Sequence, residues 1–129
     1  MGKFCLLYIM SDEFIIIATK EINDEIAGLE NILNICASND DVYQNADKFQ
    51  KHTHKIKGLA PMMGKEELGG LSSLLDGMLK KTIQGKKIEG IFDIFTESLH
   101  SMKNSMNKPN YDLSEINNKI KQLLPDPQL

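Results

Sequence analysis

Apolar residues recur at alternating steps of three and four positions along most of this chain, which is the spacing of one buried face on an α-helix. The first stripe predicts a helix from about Asp12 to Ala37, capped by Ser11 or Asp12. Its buried positions are Ile15, Ile22, Ile26, Leu29, Leu33 and Cys36. A second stripe predicts a helix from about Asp41 to Met63. Its buried positions are Val42, Ala46, Phe49, Thr53, Ile56, Ala60 and Met63.

Three further stripes predict three more helices, and no stretch alternates as a strand would. Gly64 ends the second helix, and the acidic residues after Lys65 begin the third, which ends by Gly85. Asp112 and Glu115 form a capping box for the fifth helix. The buried positions of the third, fourth and fifth helices are Leu68, Leu71, Leu75, Met78 and Leu79, then Ile88, Ile91, Phe92, Phe95, Leu99, Met102 and Met106, then Ile116, Ile120 and Leu123.

The connections between these helices are short, which favours antiparallel neighbours. The predicted fold is therefore all-α, an antiparallel up-down four-helix bundle with an additional C-terminal fifth helix packed outside it. This bundle domain covers residues 12–124. Residues 1–11 form an N-terminal extension that either packs on the bundle or precedes the true start, and residues 125–129 form a tail or the start of a linker.

Composition narrows the classes of function. With 129 residues, 41% of them hydrophobic, the chain can bury a core without disulfides or metal. A net charge of −3 disfavours nucleic acid as a partner. The apolar run at residues 4–10 is too short to span a bilayer, so no membrane insertion is expected. Cys5 and Cys36 lack a CxxC partner, which indicates free thiols in a reducing compartment and predicts a cytoplasmic protein.

His54, Lys57 and Gly58 carry the candidate chemistry, because residues three and four apart share one face of a helix. A neutral imidazole has a nucleophilic ring nitrogen that can accept a phosphoryl group. A lysine one turn on can hold the phosphate, and a glycine leaves no side chain to block an approaching partner. His54 lies one position off the buried stripe, at its edge, where neighbours can position the ring while it still reaches solvent.

The window from His54 to Lys80 resembles the histidine phosphotransfer (Hpt) domain, most closely the N-terminal phosphoacceptor domain of the chemotaxis histidine kinase CheA. The residues that carry the resemblance are His54, Lys57, Gly58, Ala60, Gly64 and Asp76. Two positions depart from the family pattern. Asp76 stands where glutamate is usual, and Pro61 stands where a small, helix-compatible residue is usual. The additional fifth helix favours the chemotaxis kinase domain over a standalone phosphorelay protein.

The resemblance implies that a histidine kinase catalytic domain phosphorylates Nε2 of His54. It also implies that the phosphoryl group passes to an aspartate on a response regulator receiver domain. Lys57 would position the phosphate, and Asp76 would accept a hydrogen bond from the other ring nitrogen and orient the imidazole. Ser73, one turn before Asp76, would help to order that carboxylate. The docking surface would include Gly58 and Ser73.

The chain has neither a phosphate-cradling glycine loop nor a kinase catalytic set, so we expect a phosphoacceptor domain and not an enzyme. ATP and Mg²⁺ would belong to the partner domains, and this chain would bind no cofactor or metal. Two alternative functions remain: a standalone Hpt protein between two receivers, and a helical scaffold module without phosphotransfer. For Asp76, the alternative role is a solvated carboxylate paired with Lys80.

His52 points roughly 160° away from His54 around the helix. We interpret His52 and His100 as surface or boundary histidines.

Overall fold

Six α-helices and no strand make up the secondary structure of residues 2–124, which are the part of the chain that the computed structural model describes. Side chains are described from residue 12 onward. The predicted all-α class is therefore confirmed. The predicted tail at residues 125–129 lies outside the described residues. The helices are α1 (Gly2–Asn34), α2 (Asn39–Gln44), α3 (Ala46–Met62), α4 (Glu66–Ile83), α5 (Ile91–Asn107) and α6 (Ser114–Leu123).

The first helix begins earlier and ends earlier than predicted. Because α1 starts at Gly2, Ser11 and Asp12 lie inside the helix and do not cap it. No proline interrupts residues 2–11, so the backbone can continue as helix through them. The backbone of the supposed extension is thus part of α1, whereas the packing of its apolar side chains lies outside the described residues. Ile15 was predicted to be buried but is 39% exposed, and Ala18 is the first buried residue of the described stripe.

The second predicted helix is broken into α2 and α3 at Asn45, where φ is −107° and ψ is 12°. The Asn45 side chain explains the break, because its Nδ2 donates to the carbonyl of Asp41 at 2.8 Å. A short amide side chain that bonds nearby backbone groups competes with helical hydrogen bonding. Ser38 caps α2 by accepting a bond from the backbone N–H of Asp41 at 3.4 Å.

Most of the predicted stripe positions are buried and together form one core. α3 packs most extensively against α4, α1 packs against α3 and α5, and α6 packs against α4 and α5. The rings of Phe49 on α3 and Phe95 on α5 meet at the centre, 4.7 Å apart between centroids. Burial of each large apolar side chain contributes about 1.5–3 kcal/mol to folding. The predicted positions that are only half-buried are Met63, Phe92, Met106 and Leu123.

The turn between α3 and α4 sets how the two helices meet. Gly64 has a φ of +85°, a conformation that side chains other than glycine rarely adopt, and the N–H of Lys65 bonds the carbonyl of Ala60 at 2.9 Å. Pro61 lies in the last turn of α3 and contacts Gly69 of α4, where a Cβ would stand 2.6 Å from the proline ring. The helices therefore approach closely at this end.

The last two helices start differently from the prediction. α5 starts at Ile91, after Gly90, so the buried Ile88 lies in the preceding loop and accepts a bond from the Tyr43 hydroxyl at 2.7 Å. At α6, Asp112 accepts a bond from the N–H of Ser114 at 2.9 Å, which lowers the pKa of Asp112. Glu115 does not complete a capping box among the described hydrogen bonds, and it pairs with Lys119 instead. None of the described helices is both long and apolar enough to cross a membrane.

Candidate functional site

His54 lies in the middle of α3 with its side chain exposed. Its ring makes no hydrogen bond to any of the side chains that the structure describes. Gly58, one turn further along, is also exposed, and a Cβ added there would meet none of the described atoms within 4 Å. The surface beside His54 is therefore open to an approaching partner, as its spacing from Gly58 predicts.

Lys57 is held beside this surface by a carboxylate from the neighbouring helix. Its Nζ lies 3.5 Å from Oδ2 of Asp76, and Nζ of Lys80 lies 3.7 Å from the same oxygen. The side chain of Asp76 is 1% exposed, whereas that of Lys57 is 38% exposed. A buried carboxylate is costly unless it is paired, so the two ammonium groups are needed at these positions. Asp76 thereby anchors Lys57 within one turn of His54.

The expected hydrogen bond between Asp76 and His54 is not present among the described contacts. Both carboxylate oxygens of Asp76 are buried without a hydrogen-bond partner among the described residues, and Oδ2 is the oxygen that lies near the two lysines. The short aspartate side chain remains among the core residues of α4 and does not reach the exposed ring. The alternative interpretation, a solvated carboxylate paired with Lys80, is half right. Asp76 does pair with Lys80, but its carboxylate is buried and not solvated.

Ser73 does not order Asp76, because it is exposed and makes no described hydrogen bond to it. Ser72 occupies the buried position instead, 0% exposed, and its Oγ has no hydrogen-bond partner in the described part of the chain. Ser72 precedes Asp76 by four residues and therefore shares its helix face. The apolar stripe of α4 could have indicated this, since Leu68, Ser72 and Leu79 belong to one buried face.

The pairing expected at His54 occurs at His52. The Nδ1 of His52 lies 2.6 Å from Oε1 of Glu25 on α1, and Nζ of Lys55 lies 3.5 Å from the other carboxylate oxygen. The side chain of Glu25 is 10% exposed and that of His52 is 29% exposed. His52 is thus at the boundary of the core, as predicted, whereas His100 is exposed. Glu25 was missed, although its place beside Ile26 on the buried stripe of α1 marks it as an unusual carboxylate.

Gly28 allows this contact between α1 and α3. A Cβ added at Gly28 would lie 2.4 Å from Cε1 of His52 and 2.8 Å from each of its ring nitrogens. Any other residue would displace the ring from its position. The α1–α3 approach and the His52–Glu25 bond therefore depend on the same glycine.

Other chemistry has little support in the described part of the chain. No group of three or more candidate ligands that could hold a metal ion occurs there. Burial raises the pKa of the Cys36 thiol, and the nearby Asp41 raises it further, so this cysteine is not activated as a nucleophile. Two surface clefts, of about 580 and 460 Å³, lie near the start of α4 and between α5 and α6, and none of the predicted site residues lines them.

Comparisons with protein-family models, with curated proteins and with solved structures found no match for this chain. The resemblance to the Hpt domain therefore stays a prediction from the residues of one window. The case for a function depends on the geometry around His54, Lys57 and Asp76.

Proposed function

We propose that this chain is a phosphohistidine carrier of two-component signalling. His54 accepts a phosphoryl group from a histidine kinase catalytic domain and passes it to an aspartate of a response regulator receiver domain. One observation carries the proposal: an exposed imidazole has, one turn along the same helix, an ammonium group held in place by a buried carboxylate.

The chemistry divides between His54 and Lys57. The lone pair of Nε2 attacks the phosphorus of the donor, an N–P bond forms, and the P–O bond of the donor breaks. Transfer to the receiver reverses the exchange, with the aspartate oxygen attacking the same phosphorus. The Lys57 ammonium offsets the charge on the phosphoryl oxygens. Asp76 acts through Lys57, which differs from the role that the family pattern implies.

We infer further that α1, α3, α4 and α5 form an up-down four-helix bundle with α6 outside it. Contacts within helix pairs support the antiparallel arrangement. Glu25 of α1 faces Lys55 and Gly28 faces His52, so α1 and α3 run in opposite directions. Pro61 near the end of α3 contacts Gly69 near the start of α4. Lys57, earlier in α3, pairs with Asp76, later in α4, so these two helices also run in opposite directions.

Labelling with a kinase tests the proposal. The protein is incubated with the catalytic domain of a chemotaxis-type histidine kinase and radiolabelled ATP, and the label is tested for stability in acid and in base. We expect an acid-labile, base-stable phosphoryl group that is lost in His54→Gln. His100→Gln, which removes another exposed histidine, is the matched control and should label as the wild type does. Full labelling of His54→Gln would exclude the proposed acceptor.

A standalone phosphorelay protein would use the same chemistry with a receiver as the donor, so a phosphorylated receiver domain is the second donor to test. The alternative of a helical interaction module is favoured by a different observation. Ile16 and Ile17 on α1 are 71% and 64% exposed, which is unusual for adjacent isoleucines. Absence of labelling from either donor, with the helical content intact, would favour the interaction module.

A further inference from the structure

His52 has an imidazole whose tautomer is determined by its neighbour. Its Nδ1 lies 2.6 Å from Oε1 of Glu25, and a carboxylate can only accept a hydrogen bond, so Nδ1 carries the proton. The lone pair of the neutral ring is then on Nε2. The ring is thereby prepared to act as a nucleophile through Nε2.

The Nε2 atom of His52 is not fully buried. It makes no described hydrogen bond, and it is not among the buried polar atoms without a partner in the described side chains, which are those of Ser72, Asp76 and Asn117. The side chain of His52 is 29% exposed. A Cβ at Gly28 would lie 2.8 Å from Nε2, so the glycine places no side chain of its own against this ring nitrogen.

A cation is available on the same face. Lys55 follows His52 by one turn of α3, and its Nζ lies 3.5 Å from Oε2 of Glu25. The side chain of Lys55 is 59% exposed, so the ammonium group can move from the carboxylate to the oxygens of an anion bound at Nε2. His52 supplies a nucleophile, Glu25 orients it and Lys55 supplies a cation. Together these three groups can bind and accept a negatively charged group such as a phosphoryl group.

We propose that His52 is a second phosphoryl acceptor, through Nε2, on the α1–α3 face of the protein. This second site does not depend on phosphotransfer at His54, because His54 lies on the opposite side of α3. With phosphoramidate as donor, an N–P bond forms at Nε2 while the P–N bond of the donor breaks. Ammonia, already protonated in the zwitterionic donor, leaves with the electron pair of that bond. Nδ1 retains its proton, and the ionised carboxylate of Glu25 balances the positive charge that develops on the ring.

The test uses phosphoramidate alone, without a kinase, and follows phosphohistidine by ³¹P NMR and by mass spectrometry under alkaline conditions. Labelling is compared with exposed His100 also replaced: His54→Gln/His100→Gln should still become phosphorylated, and adding His52→Gln should abolish that labelling. Glu25→Gln in the His54→Gln/His100→Gln background should lower the rate at least roughly tenfold, as expected when the carboxylate that orients a histidine is lost. Glu30→Gln, which removes a carboxylate of α1 that pairs with Lys103, is the matched control and should leave the rate unchanged.

Two outcomes would overturn the proposal. If His54→Gln/His100→Gln is not phosphorylated by phosphoramidate, His52 is not an acceptor, whatever the kinase experiment shows for His54. If Glu25→Gln labels His52 at the wild-type rate while retaining its helical circular dichroism, the orienting role of Glu25 is wrong. Because the kinase experiment assigns label to His54 and the phosphoramidate experiment to His52, the two proposals can fail independently.

Discussion

Two faces of helix α3 carry nearly the same three groups in different arrangements. On the α1 side, Glu25 reaches both His52 and Lys55. On the α4 side, Asp76 reaches Lys57 at the same 3.5 Å that separates Glu25 from Lys55, but it does not reach His54. Each face thus has a histidine, a lysine three residues later and a largely buried carboxylate from a neighbouring helix.

The difference shows that one carboxylate orients an imidazole while the other anchors a lysine. Glutamate has one more methylene than aspartate, and Gly28 lets α1 approach the ring of His52. On the other face, the carboxylate of Asp76 is 1% exposed and His54 is exposed, so the acid and the ring are separated by burial. The spacing of residues along one helix therefore did not determine which histidine would be hydrogen-bonded by a carboxylate from a neighbouring helix.

The largest expected effect comes from removing both lysines that face Asp76. Lys57→Ala and Lys80→Ala should each cost less than about 1 kcal/mol of unfolding free energy, because the other lysine still pairs the carboxylate. The double variant leaves a buried charge unpaired and should cost about 3 kcal/mol. Urea denaturation measures all three variants.

A neutral side chain in place of the carboxylate provides the control for this double variant. Asp76→Asn in the double-lysine background should recover most of the lost stability, since no charge then remains buried. Additive small losses in the double variant would contradict the anchoring role of Asp76.

Replacing a glycine by alanine should have opposite effects on stability at the two faces of α3. Gly28→Ala places a Cβ 2.4 Å from the His52 ring and should destabilise by about 1–3 kcal/mol, because the ring must move and its bond to Glu25 is strained. Gly58→Ala meets nothing within 4 Å and should stabilise by about 1 kcal/mol through helix propensity. Thermal denaturation compares the pair, and equal shifts in Tm would mean that the α1–α3 approach is looser than described.

A smaller effect is expected on transfer. Lys57→Ala should lower the rate of kinase-dependent labelling roughly tenfold, about 1.4 kcal/mol, because a charged contact to the phosphoryl oxygens is lost. Its Tm should change little, since Lys80 still pairs Asp76. Lys55→Ala, on the other face, is the matched control and should label at the wild-type rate. Equal losses from both variants would indicate a general charge effect on kinase association.

The smallest effect concerns which ring nitrogen carries the proton. Long-range ¹H–¹⁵N NMR should show His52 with its proton on Nδ1, and this signal should change in Glu25→Gln. His54 should not share that preference, because no carboxylate among the described side chains accepts from its ring. Asp76→Glu adds one methylene and should shift His54 towards the Nδ1–H tautomer if the longer acid reaches the ring. An Nδ1–H preference of His54 in the wild type would remove the distinction between the faces.

Local rules account for the features that the amino-acid sequence determined by itself. The all-α class and most of the buried positions follow from a period of 3.6 residues. That His54, Lys57 and Gly58 share an exposed face follows from the same period within one helix. The break at Asn45 is also local, but it depends on a side-chain hydrogen bond from Asn45 to the carbonyl of Asp41, which periodicity does not report.

Only the tertiary structure decided the contacts between helices. The choice of Glu25 over Asp76 as the partner of a histidine depends on the rotation and separation of neighbouring helices. The separation of two helices depends on the sizes of the side chains that meet between them, and these come from distant parts of the chain. The close approach of Gly28 to His52 is one example. At these distances the longer side chain of Glu25 contacts both an imidazole and an ammonium group, whereas the shorter side chain of Asp76 contacts ammonium groups.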